Sequence, residues 1–322
     1  MLSAGWRGEV TAYHYDMSRL LVFSLLLLTV SPVMAEESTW KHDYAEVNGV
    51  RLHYVSAGEG PLILFIHGFP EFWYEWKEQL KEFSTDHQAV AFDMRGYNLS
   101  SKPESLDEYQ MPKFIGDIAG LIKHLGKQKA VIVAHDWGGA IAWAFASVHP
   151  ELTEKLVIIN APHPTIFGRE LRENPEQQAA SSYMNLFRSA DAERALSENN
   201  YENLVRGVLG ELLAKGHFTE ADKKAYIEAW SRPGALTGGL NYYRAAGLGP
   251  NPAGPAPAPM HVKTPTLVIW GEKDRAILTS SLKGLEEYVS DLTIKRIPDG
   301  SHWVIHEKPA LINTYIREFL KK

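Results

Sequence analysis

The stretch that most constrains the fold is a nonapeptide, residues 131–139 (VIVAHDWGG), in which a β-branched run meets two glycines. Three consecutive β-branched residues, Val131 to Val133, are typical of a buried strand. The glycines open the apolar segment 140–145 (AIAWAF), which has the character of a buried helix. These residues therefore predict a strand, a tight turn and a helix in immediate succession.

Asp136 occupies that turn. A small residue, then Asp, then Gly between a strand and a helix matches the nucleophile elbow, a strained turn that lifts one side chain above the sheet. A serine there would attack carbonyl carbon, whereas a carboxylate oxygen can displace a leaving group from saturated carbon and leave an ester on the protein. The stretch predicts hydrolysis of an alkyl electrophile, an epoxide or an alkyl halide. The alternative at this point is that Asp136 only caps the helix.

Composition narrows the class of protein. The 322 residues are 45% hydrophobic and 11% aromatic, which suits one large domain or a domain with an insertion. The net charge of −6 lacks the excess of basic residues that is typical of nucleic-acid-binding proteins. The absence of cysteine excludes thiol catalysis, disulfides and cysteine-ligated metals.

Residues 1–35 carry the pattern of a secretory signal peptide. The apolar run 20–30 (LLVFSLLLLTV) follows Arg19 and is too short to span a bilayer comfortably. Small residues near Ala35 offer a cleavage site, and Met17 is a closer start to the basic residue than Met1. We expect a periplasmic or secreted protein with no stable membrane anchor after cleavage. An uncleaved anchor is the alternative.

The rest of the chain predicts two halves of one sheet with a helical insertion between them. Residues 36–163 alternate strand and helix patterns, which predicts a mostly parallel sheet with helices on both faces. Residues 164–259 lose the strand patterns, keep helical spacing and end in a proline-rich linker from 249 to 259. Residues 260–322 resume the sheet. Helical spacing also predicts a helix from Glu71 to Phe83.

A carboxylate nucleophile needs a base that activates water against the resulting ester. In this fold the order is nucleophile, acid, histidine, with the acid after a late strand. Asp274 and its rival Glu272 both follow the predicted strand 266–270, and His302 follows the last predicted strand. Backbone N–H groups of Phe69 and Trp137 are expected to form the oxyanion hole.

Taken alone, His302 is one of thirteen histidines and could be an ordinary capping or surface residue. We place His135 and His306 in that ordinary class.

Several motifs together resemble the α/β-hydrolase-fold epoxide hydrolases. They are residues 67–76 (HGFPEFWYEW), 93–97 (DMRGY), 135–139 (HDWGG), 160–164 (NAPHP) and 300–303 (GSHW). The resemblance covers essentially the whole mature chain and favours Asp274 over Glu272 as the acid. It also implies an α/β-hydrolase core with an inserted helical cap domain.

In that family two cap tyrosines bind the epoxide oxygen and protonate it. Residues 241–244 (NYYR) match the family's Asn-aromatic-Tyr-Arg motif, so the resemblance points to Tyr243, and Tyr183 stands where the second is expected. Trp137 and Phe69 are also expected to contact the substrate. The chain departs from the family at Ala134 and Asn98, where glycine is usual.

The runner-up is a haloalkane dehalogenase, which would use the same nucleophile, but Phe69 stands where many such enzymes have asparagine. A non-catalytic binding protein on this fold and an ester hydrolase are further alternatives. The epoxide reading implies a small-molecule epoxide as partner, with no organic cofactor, no metal and no nucleic acid. Whether the chain forms a homo-oligomer is left open.

Overall fold

The computed structural model describes residues 5, 8, 9, 40–253, 256 and 258–322. The chain divides into two units, Met1–Ser38 and Thr39–Lys322, and the sheet and the candidate site lie in the second. The segment predicted to be a signal peptide, including its apolar run at 20–30, lies outside the described residues save for three near its start. In the part of the chain that is described, no helix has the length and apolarity needed to cross a bilayer.

Eight strands form a single sheet in the described unit. They are β1 (Lys41–Val47), β2 (Val50–Ala57), β3 (Leu62–Ile66), β4 (Gln88–Phe92), β5 (Ala130–His135), β6 (Thr153–Ile159), β7 (Thr266–Gly271) and β8 (Leu292–Ile297). The spatial order is β1-β2-β4-β3-β5-β6-β7-β8. Only the β1–β2 and β2–β4 pairs are antiparallel; the other neighbours in this sheet run parallel. The predicted α/β class with a mostly parallel sheet is confirmed.

The first hairpin turns at Asn48-Gly49, as its sequence predicts. Val47 pairs with Val50 across it, and Asn48 and Gly49 both have positive φ, 49° and 77°. Asparagine and glycine tolerate this left-handed backbone better than other residues. The hairpin places β2 against β4 and so closes one edge of the parallel sheet.

Helices cover the sheet and form the insertion between β6 and β7. They are α1 (Lys77–Phe83), α2 (Met111–His124), α3 (Asp136–Val148), α4 (Pro164–Glu173), α5 (Pro175–Ala180), α6 (Tyr183–Arg188), α7 (Ala192–Leu204), α8 (Gly210–Ala214), α9 (Glu220–Ser231), α10 (Ala235–Ala246), α11 (Val304–Glu307) and α12 (Pro309–Leu320). Between β6 and β7 the described residues form helices and loops, apart from one isolated bridge that joins Val262, just before β7, to Val289; this agrees with the predicted helical insertion. Its bounds as a domain, 164–259, stay a prediction.

One predicted helix begins later than expected. The spacing predicts helix from Glu71, but Phe72 is extended and a short 3₁₀ turn, Trp73–Trp76, precedes α1. The Glu71 N–H bonds to the Gly68 carbonyl and the Glu75 N–H to the Phe72 carbonyl, so local turns take the place of the first helical turns. The Phe69-Pro70 peptide is cis.

The core lies against the central strands. Every residue of β3, β5 and β7 is buried, as expected of parallel strands covered on both faces. The loops after β3, β5, β6, β7 and β8 emerge from the same edge of the sheet, where the carboxyl ends of parallel strands meet. The candidate site lies at this edge.

Candidate active site

Asp136 lies at the end of β5 and is the first residue of α3, with a φ of +49°. Such a turn needs small neighbours because it brings the chain close to adjacent strand ends. A Cβ at Gly138 would lie 2.2 Å from the carbonyl oxygen of Ile66, and one at Gly68 would lie 2.2 Å from Asp136 Oδ1. The glycines therefore allow the carboxylate to sit directly against the loop after β3.

The two oxygens of Asp136 have different partners. The Phe69 N–H donates to Oδ1 at 2.7 Å, and the Trp137 N–H also bonds to this carboxylate. Burial would raise the pKa of Asp136, but the interaction with His302 and the Trp137 N–H together hold that pKa below its ordinary value. The side chain is therefore an anion whose Oδ1 lies in the predicted oxyanion hole.

His302 lies between two carboxylates. Its Nδ1 is 2.7 Å from Asp274 Oδ2, and its Nε2 is 3.6 Å from Asp136 Oδ2. Burial alone would lower the pKa of His302, but the negative charges of Asp274 and Asp136 raise it well above its ordinary value. The predicted set of Asp136, Asp274 and His302 is thus brought together in one buried place. Glu272, the rival acid, pairs with Arg296 at 3.2 Å instead.

Asp274 is held by several donors that sequence reasoning did not identify. The N–H groups of Ala276 and Ile277 donate to its Oδ1 at 2.8 and 2.9 Å. The Asn160 side-chain amide donates to Oδ2 at 2.9 Å, while its oxygen accepts from the Gly271 N–H at 2.8 Å. Asn160 thus fixes both the acid and the end of β7. Its place directly after β6, at the functional edge, was the signal available in the sequence.

The two predicted tyrosines meet above the nucleophile. Tyr183, the first residue of α6, packs against Tyr243 of α10 with ring centroids 6.4 Å apart, and the two phenols are close enough to shift each other's pKa. The Trp137 side chain lies beside Tyr243, with ring centroids 5.1 Å apart, and its interaction with the phenol acts to lower the pKa of Tyr243. Burial raises the pKa of both phenols, and the negative charge of Asp136 adds to the rise. Both hydroxyls therefore keep their protons at neutral pH.

The neighbouring Tyr242 faces away from this site. Its hydroxyl donates to the Arg95 carbonyl at 2.8 Å, and its ring stacks on Phe114 at 4.4 Å. Glycines on α10 permit this packing, since a Cβ at Gly238 would lie 2.3 Å from the Gly96 oxygen. Because α10 lies so close to the core, Tyr242 packs into the core while the adjacent Tyr243 faces the candidate site.

Aromatic rings line the space beside the tyrosines. The Phe69 ring lies 5.1 Å from Phe187 and 5.5 Å from Tyr243, and Trp137 is 5.1 Å from Tyr243, all between centroids. Phe69 and Trp137 thus contribute backbone N–H groups to the carboxylate and apolar surface to its surroundings.

The expectation that His135 and His306 are ordinary capping or surface residues is wrong. His135 is fully buried, with Nδ1 2.5 Å from Glu75 Oε1 and Nε2 2.9 Å from the His302 carbonyl oxygen. His306 is 3.1 Å from Glu71 Oε1, and only 5% of its side chain is exposed. Both contacts join residues far apart in sequence, which is why spacing did not reveal them.

Glu71, Glu75 and His306 each place one potential metal-ligating atom within 4.8 Å of the others. These groups are largely used by internal hydrogen bonds: Tyr226 donates to Glu71, His306 contacts Glu71, and Glu75 contacts His135. A cation would have to displace these bonds, so the donor set does not fit a metal site.

Comparison with known proteins gives a consistent result. The alpha/beta hydrolase fold family matches residues 61–309. The chain is 41% identical over 285 residues to the AB hydrolase superfamily protein YfhM of Bacillus subtilis, covering 87% of this chain and 98% of the relative. It is 37% identical over 300 residues to mouse epoxide hydrolase 4, covering 89% and 81%.

Solved structures agree. The crystal structure of Bacillus megaterium epoxide hydrolase in complex with an inhibitor superposes with a TM-score of 0.81 at 39% identity, covering 87% of this chain and 100% of that one.

Proposed function

Because the chain belongs to the α/β-hydrolase fold family and, within it, to the epoxide hydrolases, we propose that it converts an epoxide and water to a vicinal diol through an ester on Asp136. The observation that carries this mechanism is the placement of one carboxylate between an N–H hole, a histidine and a pair of phenols. The haloalkane dehalogenase would share the first two features and has no need of the third.

In the first step the two phenols of Tyr183 and Tyr243 hold the epoxide oxygen. Asp136 Oδ2, the oxygen outside the N–H hole, attacks one ring carbon. The new bond forms as the ring carbon–oxygen bond breaks, and one tyrosine donates its proton to the leaving oxygen. The high phenol pKa values, caused first by burial, support a proton-loaded donor. The product is a hydroxyalkyl ester on Asp136.

In the second step His302 removes a proton from water, and the hydroxide attacks Cγ of Asp136. Negative charge then develops on Oδ1, where the Phe69 N–H stabilises it, and the Trp137 N–H adds positive potential at the same carboxyl group. The carbon–Oδ2 bond breaks and the diol leaves, taking its second proton from the new carboxyl group. The proton that His302 takes from water restores its resting charge.

Esterification also prepares His302 for this role. The charge of Asp136 is one of the causes that raise the pKa of His302. The ester is neutral, so that contribution disappears once the first step is complete. We infer that His302 then gives up its proton, which restores the tyrosine that protonated the epoxide oxygen, and becomes a free base while Asp274 continues to orient its ring.

A halide ion would need free N–H donors near the leaving group. The Trp137 indole packs against Tyr243 and interacts with its hydroxyl, and the Phe69 side chain has no donor to offer. Both observations favour the epoxide over the alkyl halide as substrate.

A bifunctional substrate tests the proposal directly. Epibromohydrin carries both an epoxide and a carbon–bromine bond, so initial rates of diol and bromide formation are measured together on the purified protein. We expect diol to form ahead of bromide. Bromide ahead of diol would replace this proposal with the dehalogenase, and formation of neither would support a binding protein.

The tyrosines are tested by a matched pair of variants. Tyr243→Phe removes the phenol that contacts Trp137 and Tyr183, and we expect epoxide turnover to fall by about 10- to 100-fold. Tyr242→Phe is the control, because its hydroxyl bonds only a backbone carbonyl of the core, and its turnover should stay near wild type. Equal losses in the two variants would remove Tyr243 from the mechanism.

We further propose that the protein is exported, from the apolar run at 20–30 and the small residues near 35. Amino-terminal sequencing of protein recovered from the periplasm or medium should begin at or near Glu36. An intact leader on protein retained in the cell contradicts export with cleavage.

A further inference from the structure

A second histidine–carboxylate pair reaches the backbone of His302. Glu75 Oε1 lies 2.5 Å from His135 Nδ1, and His135 Nε2 lies 2.9 Å from the His302 carbonyl oxygen. The side chains of Glu75 and His135 are completely buried. The mechanism above assigns no role to either of them.

The hydrogen-bond partners restrict the protonation states of Glu75 and His135. A carbonyl oxygen only accepts, so His135 Nε2 must carry a hydrogen. An ionised Glu75 would require a second hydrogen, on Nδ1, and would make His135 a buried cation. A protonated Glu75 can donate its own hydrogen to Nδ1, which leaves His135 neutral with both nitrogens satisfied.

The surroundings favour the neutral state. The His135 and His302 rings are 4.8 Å apart between centroids, so a cationic His135 would adjoin a histidine that already holds positive charge between two carboxylates. Glu71 and Asp136 add negative charge near Glu75, while His306 and His302 add positive charge. Burial is the largest influence on both groups: it raises the pKa of Glu75 well above its ordinary value and lowers that of His135 to about 4.

The second carboxyl oxygen agrees with this assignment. Within the described chain, Glu75 Oε2 is buried and has no hydrogen-bond partner. Leaving the carbonyl oxygen of a neutral acid unpaired costs far less than leaving an ionised carboxylate oxygen unpaired.

We propose that Glu75 is a neutral acid that donates to His135, fixes its Nε2–H tautomer and, through the His302 carbonyl, positions His302 for ester hydrolysis. Glu75 is therefore a positioning residue, since it acts through His135 and does not contact the reacting atoms. The inference deepens the proposed function and rests on it for its effect on turnover, although the protonation state stands on its own.

Two substitutions separate donation from charge. Glu75→Gln keeps a hydrogen donor for His135 Nδ1 and cannot ionise; Glu75→Leu keeps similar bulk and removes the donor. We expect the Gln variant to retain turnover within about threefold of wild type and the Leu variant to lose about tenfold or more in kcat with KM little changed. The Leu variant should accumulate the Asp136 ester, seen as added mass on the intact protein, because only the second step needs a positioned His302.

The pH profile adds a readout that a packing role would not move. Turnover of the wild type should decline as alkaline pH ionises Glu75, and this decline should be absent from Glu75→Gln. A Gln variant as impaired as the Leu variant, or one that keeps the same alkaline decline, overturns the proposal.

Nitrogen-15 NMR of histidine-labelled protein measures the tautomer without substrate, with His135→Gln identifying the resonances. At pH 7 we expect one protonated and one unprotonated nitrogen on His135. Two protonated nitrogens would overturn the proposal even if Glu75→Leu fails to fold. If no epoxide is turned over, the proposed function fails, and the NMR result still decides the state of Glu75.

Discussion

Two histidine–carboxylate pairs lie side by side in this protein. In one pair both residues are charged, and in the other, as proposed above, both are neutral. Asp274 and His302 are 2.7 Å apart, and Glu75 and His135 are 2.5 Å apart. The pKa of His302 is raised by the charges of Asp274 and Asp136, whereas burial, followed by the charge of His302, lowers that of His135 to about 4. Distance within the pair therefore does not decide which residue holds the proton.

The difference arises from what else each carboxylate bonds. Asp274 accepts hydrogen bonds from Ala276, Ile277 and Asn160 in addition to its histidine. Such donors stabilise an anion. Glu75 has His135 at one oxygen, and its other oxygen is unpaired among the described residues. An anion is stable where donors converge on it, and a neutral acid results where they are absent.

The largest expected effect follows from removing the negative charge of the nucleophile Asp136, which lies beside His302. Asp136→Asn should abolish diol formation, by more than about 10³-fold, because an amide does not open the epoxide. It should also lower the pKa of His302, since Asp136 is one cause of its rise. The pKa is measured by NMR titration of the two proteins. An unchanged His302 pKa would show that Asp274 alone sets it.

The same acid-to-amide change at Asp274 should behave differently from Glu75→Gln. Asp274→Asn removes the anion that holds the His302 ring and its tautomer, so ester hydrolysis should slow by about 10³- to 10⁴-fold. The intermediate should then accumulate in intact-protein mass spectra after mixing with an epoxide. Similar small losses in Asp274→Asn and Glu75→Gln would erase the distinction between the pairs.

Removing one hydrogen-bond donor from Asp274 should have an intermediate effect on turnover. Asn160→Leu removes the amide that bonds both Asp274 and Gly271, leaving buried acceptors unpaired. We expect a loss of about 1–3 kcal/mol in the free energy of unfolding and about a 10- to 100-fold fall in turnover. Denaturant titration and steady-state kinetics measure the two effects. Full activity in the variant would mean that the backbone donors of residues 276 and 277 suffice.

The smallest expected effect is on folding stability and involves the Glu75–His135 pair. Burial raises the folded-state pKa of Glu75 above its ordinary value of 4.5, so the unfolded chain loses this proton first as pH rises. The stability contributed by this group is full below about pH 4.5 and is lost progressively at higher pH. Glu75→Gln has no such proton to lose and should unfold at a higher temperature than wild type at pH 7–8. Melting curves at pH 4 should nearly coincide. A Gln variant that is less stable at both pH values would contradict a neutral Glu75.

The order of the site residues could be predicted from the sequence because it depends on local patterns. Asp136 directly follows a strand, and Asp274 and His302 lie in the loops after two later strands, each identified by its composition. Parallel strands bring these ends together. The kinetic tests above measure the contribution of each to turnover.

Other features could not be predicted because they arise from packing. Glu75 was assigned to a helix that in fact begins at Lys77, and its partner His135 is sixty positions away. The bond between Asn160 and Asp274 joins residues 114 positions apart, across the helical insertion. Spacing along the chain records the period of a strand or helix and carries no information on which loop side chains face each other.

The unequal bonding of the two Asp136 oxygens has a consequence for the origin of the product's atoms. In the proposed mechanism Oδ1 stays in the N–H hole while Oδ2 forms the ester, so the oxygen added to the epoxide would come from the protein and be replaced from water afterwards. Each diol therefore carries an atom taken from the water of the preceding turnover. In ¹⁸O-labelled water the first diol is unlabelled and the carboxylate gains a single heavy atom. A second heavy atom appears only if the carboxylate rotates between turnovers so that its two oxygens exchange places. The ¹⁸O content of Asp136 after many turnovers therefore measures how often that rotation occurs.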